Sequence, residues 1–228
     1  MEYLGTQTLE RDGFDLVPDL VSGDLRGELV GLFDSDPGVA GRRDGLEFEV
    51  VRRAVEAAGV VAVVRAVLGD GAFAVKAVLF DKTSASNWLV PWHQDVMVPV
   101  RERREVLGFD AWSKKGGIAH VRPPAEVLES MLTLRIDLDG STATNGALRV
   151  IPGSHLGGIL GAEAVQERQR GELPADCIVP PLGGLIMRPL LLHASSRATE
   201  PVNRRIVHLE FAADELPGGL KWFQRHSV

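Results

Sequence analysis

The sequence is poor in the features that mark secreted, membrane-bound or nucleic-acid-binding proteins. It has one cysteine in 228 residues, Cys177. No disulfide can close within the chain, and a reducing cytoplasm is the expected compartment. Cys177 stands in Asp176-Cys177-Ile178-Val179, which reads as the start of a strand. A small buried hydrophobe is expected there, not a reactive thiol. Cationic excess is missing too: the formal net charge is -6, which argues against a nucleic-acid partner. Residues 60–68, the most apolar stretch, carry Arg65 and are too short to span a bilayer, so no membrane partner is expected. Met1-Glu2-Tyr3-Leu4-Gly5 lacks the basic-then-apolar pattern of a signal peptide. There is no repeat, low-complexity tract, glycine-rich phosphate loop or dinucleotide fingerprint. The hydrophobic content of 45% suffices for a sizeable core. The expectation is one domain over residues 1–228.

What is present changes character along the chain. Residues 1–70 read as a helical support. Leu25, Leu29, Leu32 and Phe33 fall on one face of a helix that Ser22 is placed to cap. Residues 49–58 and 60–68 form two more helical stretches around Gly59, the second with Val60, Val63, Val64 and Val67 at helical spacing. Short strands follow: 73–82, one within 89–98, 131–138, 147–151, 177–179, 185–188 and 205–211, with a short helix after Pro123-Pro124. Residues 132–138 alternate, with Leu132, Leu134, Ile136 and Leu138 on one face and Thr133, Arg135 and Asp137 on the other. Residues 101–122 are expected to form a basic lid loop, with Arg101, Arg103, Arg104, Lys114, Lys115 and Arg122 able to close over an acidic substrate; a solvated loop is the competing reading. Helices first and many short strands after predict a mainly β fold, a sandwich or barrel with helices packed on one sheet; a βαβ arrangement is disfavoured.

The chemistry centres on Trp92-His93-Gln94-Asp95. On a strand, residues i and i+2 share a face, so an imidazole and a carboxylate can reach one metal ion. A second histidine from a distant strand would complete the facial triad of non-haem iron oxygenases and leave positions open for a cosubstrate and oxygen. The pair alone is weak. With 31 acidic residues and six histidines, each histidine has roughly a one-in-seven chance of an acid two residues on. His208-Leu209-Glu210 is a second such pair.

The wider pattern separates them. Pro91-Trp92-His93-Gln94-Asp95, then the run from Asn145-Gly146-Ala147 through Pro152-Gly153-Ser154-His155, then Leu192-His193-Ala194-Ser195 ahead of Arg204-Arg205 together resemble the phytanoyl-CoA dioxygenase family. The likeness extends from about residue 73 to 211, and Arg11-Asp12-Gly13-Phe14 is similar to that family's start. The resemblance implies a double-stranded β-helix (jelly-roll or cupin-like, over residues 73–211) and an enzyme using iron(II) and 2-oxoglutarate. It implies that His93, Asp95 and His193 hold the metal, that Arg204 pairs with the far carboxylate of 2-oxoglutarate, and that Ser195 is a polar cosubstrate contact. Its carboxylate ligand argues for hydroxylation of an unactivated C–H bond, with release of succinate and carbon dioxide, over halogenation. The partners implied are O2 and a small-molecule substrate; no coenzyme A site is visible. Two rival readings stay open: a cupin-type metalloenzyme that does not use 2-oxoglutarate, and a non-catalytic metabolite-binding protein on the same scaffold.

The remaining candidates divide as follows. Arginine suits a carboxylate because its planar fork binds bidentately. Arg204 shares a strand face with His208 and Glu210, expected toward substrate, while Arg205 shares the other with Val207, Leu209 and Phe211. An exposed strand-end cation is the competing reading for Arg204. Arg135 is anomalous in an apolar strand, since a buried charge is costly unless paired. It is a candidate for an anionic group of substrate or cosubstrate, or for a salt bridge to Asp137 or Glu210. Lys82 and Asn87, just before the His-x-Asp strand, are candidates to line the mouth toward substrate, with ordinary loop residues as the competing reading. Trp88, Trp92 and Trp112 are candidates for pocket walls, with core packing as the alternative. His120 is expected to be a solvated loop residue, His155 structural or rim-lining, and His226 without a specific role.

Overall fold

A computed structural model describes residue 3, residues 5–36 and residues 40–228. Among these the helices are α1 (Thr6–Asp12), α2 (Gly23–Ser35), α3 (Glu49–Val55), α4 (Ala58–Leu68), α5 (Ala125–Glu129) and α6 (Ala162–Gly171). The strands are β1 (Phe14–Val17), β2 (Phe73–Lys82), β3 (Val90–His93), β4 (Val98–Val100), β5 (Asp110–Lys115), β6 (Ile118–Arg122), β7 (Leu132–Asp137), β8 (Leu148–Val150), β9 (Ala175–Cys177), β10 (Gly184–Met187), β11 (His193–Ser195), β12 (Arg204–Ala212) and β13 (His226–Ser227).

Two antiparallel sheets carry the architecture. The larger runs β1-β10-β7-β12-β2-β13 and the smaller β3-β11-β8-β9. All six residues of β7 are buried, because the sheet is covered on both faces. Leu132, Leu134 and Ile136, with Val207, Leu209 and Phe211 of β12, join Leu25, Leu29 and Phe33 of α2 and Val60, Val63 and Val64 of α4 in one apolar cluster. The alternate residues of β7 and β12 point to the opposite face, toward the small sheet. In α2, Ser22 Oγ accepts from the Leu25 amide at 3.2 Å, a cap that ends the preceding loop. Arg205 leaves the apolar cluster at its rim, bonded to Asp139 and Asp34. Leu134 sits fully buried between helices and sheet. Leu134→Ala is expected to cost roughly 2–5 kcal/mol of folding stability, measured as a lower urea midpoint with unchanged slope.

Residues 101–122 do not form the lid loop expected from the sequence. Their second half is a β-hairpin, β5 and β6, which pairs with β4 in a third sheet ordered β4-β6-β5. Lys115 is opposite Ile118, so Gly116-Gly117 is a two-residue turn, with φ of 57° and 84°. Positive φ at both positions is the type I′ geometry that matches strand twist, and glycine adopts it without a Cβ penalty. The hairpin also corrects the reading of His120. It is buried, with Nδ1 bonded to the Ile118 carbonyl at 3.1 Å. No helix among the described residues is long and apolar enough to cross a membrane.

Candidate active site

Strand register brings the two distant histidines together. His193 of β11 is directly opposite His93 of β3, and opposed residues on antiparallel neighbours share a face. Their rings lie 4.2 Å apart between centroids. Asp95 lies just beyond the end of β3, not within it. Its amide donates to the Pro189 carbonyl at 2.9 Å. Between the two, the Gln94 side chain donates to the carbonyls of Gly158 and Leu190 and accepts from the Leu160 amide. These bonds fix the segment that carries the carboxylate.

The donor atoms are disposed for a cation. His93 Nε2 is 3.9 Å from Asp95 Oδ1, and His193 Nε2 is 3.7 Å from Asp95 Oδ2. Both Nδ1 atoms face the backbone carbonyl two residues earlier, Pro91 at 2.8 Å and Leu191 at 2.9 Å. A carbonyl can only accept, so each Nδ1 carries the proton and each Nε2 presents a bare lone pair, the arrangement that outer partners impose on metal-binding histidines. Burial pushes the His193 pKa down to about 4, which keeps the ring neutral. Asp95 Oδ2 is buried without a hydrogen-bond partner. Burial alone would raise its pKa, but His193, His208, Lys76 and His93 outweigh that and lower it, so a carboxylate is present. An orphaned buried carboxylate oxygen beside two lone pairs fits a divalent metal.

A second group, Asp95 with His208 and Glu210, is also close enough to share an ion, but its atoms are committed. His208 Nδ1 is 3.1 Å from Arg135 Nη1, and Nε2 is 3.3 Å from Glu210 Oε1. Arginine can only donate, so His208 accepts at Nδ1 and donates from Nε2. Glu210 is paired with the Lys76 ammonium at 2.6 Å. Burial would raise the Glu210 pKa; Lys76 and His208 outweigh it and lower it.

The site opens into a cavity of about 300 Å³, at the small end for ligand pockets. The inward face of β2 forms its floor through Lys76, Val78, Phe80 and Lys82. At the Lys82 end stand Arg204, opposite Lys82 in the sheet, and Ser195. Lys82 Nζ donates to Ser195 Oγ at 3.0 Å and to the Ser196 carbonyl at 2.7 Å, while Ser195 donates to the Gly146 carbonyl. Gly146 has φ +78°, and a Cβ there would stand 2.7 Å from the Ser196 carbonyl oxygen. That is the local reason for Asn145-Gly146. Arg135 lies midway, its guanidinium 5.7 Å from the Phe80 ring centroid. Among the described residues no carboxylate is within ion-pair distance of Lys82, Arg135 or Arg204. The salt bridges considered for Arg135 do not form. Burial, with Arg204 and Arg135 nearby, pushes Lys82 down to about 8; burial and Arg135 push Arg204 down to about 10.

Other candidates fall elsewhere. Trp112 is not in the cavity: it packs in the cluster under the hairpin, with Arg103 over its ring. Trp88 lines the cavity and Trp92 does not. Glu210 lies behind the wall, held by Lys76. Asn87 bridges to the Ala198 backbone. His155 anchors α1 through the Glu10 carbonyl, and His226 pairs with Glu56. Arg43, unanticipated, and Lys115, from the basic stretch read as a lid, also line the cavity.

Residues 33–206 match the family described as phytanoyl-CoA dioxygenase (PhyH). The chain belongs to the phytanoyl-CoA dioxygenase family. As a member of the phytanoyl-CoA dioxygenase family it is an oxygenase-type enzyme dependent on non-haem iron and 2-oxoglutarate. Its fold is similar to that of EctD from S. alaskensis (TM-score 0.70, 20% identity, covering 98% of this chain and 80% of that one). It is also similar to the epimerase SnoN from nogalamycin biosynthesis, in complex with Fe3+, alpha-ketoglutarate and nogalamycin RO (TM-score 0.70, 14% identity, 98% and 93% covered). AviO1 from Streptomyces viridochromogenes is a third (TM-score 0.66, 18% identity, 93% and 95% covered). No curated protein matches this phytanoyl-CoA dioxygenase family member in sequence.

Proposed function

We propose that the protein hydroxylates an unactivated C–H bond of a small metabolite, consuming 2-oxoglutarate and O2 and releasing succinate and carbon dioxide. His93, Asp95 and His193 would hold iron(II). The observation that carries this reading is the convergence of two bare Nε2 lone pairs on an orphaned buried carboxylate, in a cavity whose far end offers unpaired cations. Iron and 2-oxoglutarate, when bound, supply an oxidant able to cleave an unactivated C–H bond, with decarboxylation of the 2-oxoglutarate.

The chain's own residues set the conditions. Arg204 binds the far carboxylate of the cosubstrate through its planar fork. Lys82, steered by Ser195, adds a second charge on the same side. Arg135 raises the positive potential between them and fixes the His208 tautomer. Val78, Phe80, Val90 and Leu148 give the cavity an apolar lining, which thins out water around the reacting bond.

Anaerobic titration of the iron(II)-loaded protein with 2-oxoglutarate tests metal, cosubstrate and site together. A weak visible absorption band that saturates with 2-oxoglutarate is the expected result. Iron binding without the band points to a cupin-type metalloenzyme, and no iron binding to a metabolite-binding scaffold. Product mass then separates hydroxylation, which adds oxygen, from epimerisation, the activity named for SnoN, which leaves mass unchanged.

A further inference from the structure

The cavity has two cationic ends, and only one is accounted for by the cosubstrate. Lys82 and Arg204 stand at one end of the inward face of β2; Lys76 is at the other, six residues along the same strand. At the rise of an extended strand, six residues separate the two ends by roughly 20 Å. Between them, at Val78, β2 is opposite His208, whose Nε2 is 3.9 Å from Asp95 Oδ2, so the metal cluster stands against the middle of the strand. A five-carbon diacid bound to the metal and to Arg204 is too short to reach the Lys76 end.

Lys76 itself is neutralised by Glu210 at 2.6 Å, but its two cationic neighbours are not. Arg43 is brought to β2 by the parallel bridge between Asp44 and Ala77 and by the Leu79 amide bonding to the Arg42 carbonyl. Lys115 is brought over by the type I′ turn at Gly116-Gly117. Both border the cavity, and neither side chain makes a hydrogen bond or ion pair among the described residues. The Lys115 pKa is lowered, first by burial and then by Arg43 and Lys76, so the three cations crowd one another. The His120 pKa is lowered first by burial, with Lys76, Lys115 and Arg43 adding to the effect. Among the described residues the only carboxylate lining the cavity is Asp95, a proposed metal ligand. Unpaired cations held together at a cavity mouth are a receptor for an anion.

We infer that Arg43 and Lys115 form a second anion-binding site, on the opposite side of the metal cluster from Arg204, and that the substrate is a small metabolite with a terminal carboxylate or phosphate seated there. The inference rests on the proposed function above and narrows its substrate class. An anionic group held by Arg43 and Lys115 orients the rest of the molecule inward, past Val78 and Met97, toward the cluster. The two ends then discriminate by position: one anion is read beyond the metal and one before it.

The test uses the full chain with manganese(II) in place of iron and saturating 2-oxoglutarate. Inorganic phosphate and butyrate are titrated separately by calorimetry, and phosphate also by 31P relaxation, which reports nearness to the manganese. The expected result is saturable binding of at least one probe with 2-oxoglutarate in place. The paired substitution Arg43→Gln and Lys115→Gln is expected to weaken it at least tenfold while leaving 2-oxoglutarate affinity unchanged. Preference for phosphate assigns a phosphoester and preference for butyrate a carboxylate. Absence of binding by both probes, or binding indifferent to the paired substitution, overturns the second site while the proposed function stands. Failure of 2-oxoglutarate itself to bind the metal-loaded protein brings down both.

Discussion

Asp95→Ala is expected to yield a folded protein whose iron(II) affinity has fallen by more than about 100-fold, since removal of a mere outer-shell partner already costs 10–100-fold. The variant removes the anionic member of the donor set and the buried oxygen that has no protein partner. His193→Ala should lose iron comparably, because its Nε2 is a bare lone pair held in place by the Leu191 carbonyl. His208→Ala is the informative control. His208 is equally buried and its Nε2 is 3.9 Å from Asp95 Oδ2, yet both its nitrogens are engaged by Arg135 and Glu210. It should therefore keep iron within a few-fold of the parent. Metal content after gel filtration, with circular dichroism to confirm folding, reads all three. Loss of iron in His208→Ala with retention in His193→Ala would reassign the metal to Asp95, His208 and Glu210.

Arg204→Leu is expected to act in two directions at once. Arg204 is buried, its Nε has no partner, and its nearest bond is a long one to Ser141 Oγ at 3.4 Å. Replacing such a charge with an apolar side chain should stabilise the ligand-free protein, by about 1–4 kcal/mol. The same change removes the fork proposed for the cosubstrate's far carboxylate. That loss should weaken 2-oxoglutarate by about 2–5 kcal/mol, which is roughly 30-fold or more in Kd. A higher Tm combined with lost 2-oxoglutarate binding marks a group kept for function at the expense of stability. A lower Tm with binding intact would make Arg204 a structural residue.

Lys82 adds a pH dependence to the same end of the cavity. Its pKa is about 8 in the fold, against an ordinary value of 10.5. Below pH 8 both folded and unfolded chains carry the proton, and the penalty for burying it is fully present. Between pH 8 and 10.5 the unfolded chain binds more protons, so ligand-free stability rises with pH. Affinity for the 2-oxoglutarate dianion runs the other way, flat below pH 8 and falling above it by at most about tenfold per pH unit. Lys82→Met should remove the Lys82 contribution to both slopes, read between pH 8 and 9.

The His-x-Asp spacing, the distal histidine and the basic residue eleven positions beyond it are visible in the sequence as a motif, although Asp95 lies past the end of β3 and is held there by the bonds of Gln94 and not by strand geometry. The helix faces of residues 24–33 and 60–68 and the alternation through β7 were legible because a buried stripe has a period. Arg43 had no such signal, and Lys115 had only its place in a basic stretch. One is delivered by a loop that borrows a single bridge from β2, and the other by a hairpin tip, so their meeting depends on tertiary placement alone. The hairpin itself did leave a mark, Lys115-Gly116-Gly117-Ile118, a two-glycine turn between alternating strands. It was obscured by the charged residues around it, and with it went the correct placement of His120 and Trp112. Trp112 reads equally well as pocket wall or core because an indole satisfies either.

The solitary thiol has a practical corollary. Cys177 is sealed in the interior and burial pushes its pKa up to about 12, so almost none of it exists as the anion that oxidants and alkylating reagents attack. A protein proposed to work beside activated oxygen thus keeps its only thiol out of reach. The same quietness leaves the surface blank to maleimides, and a cysteine installed beside the cavity mouth would be the sole position to take up a reporter.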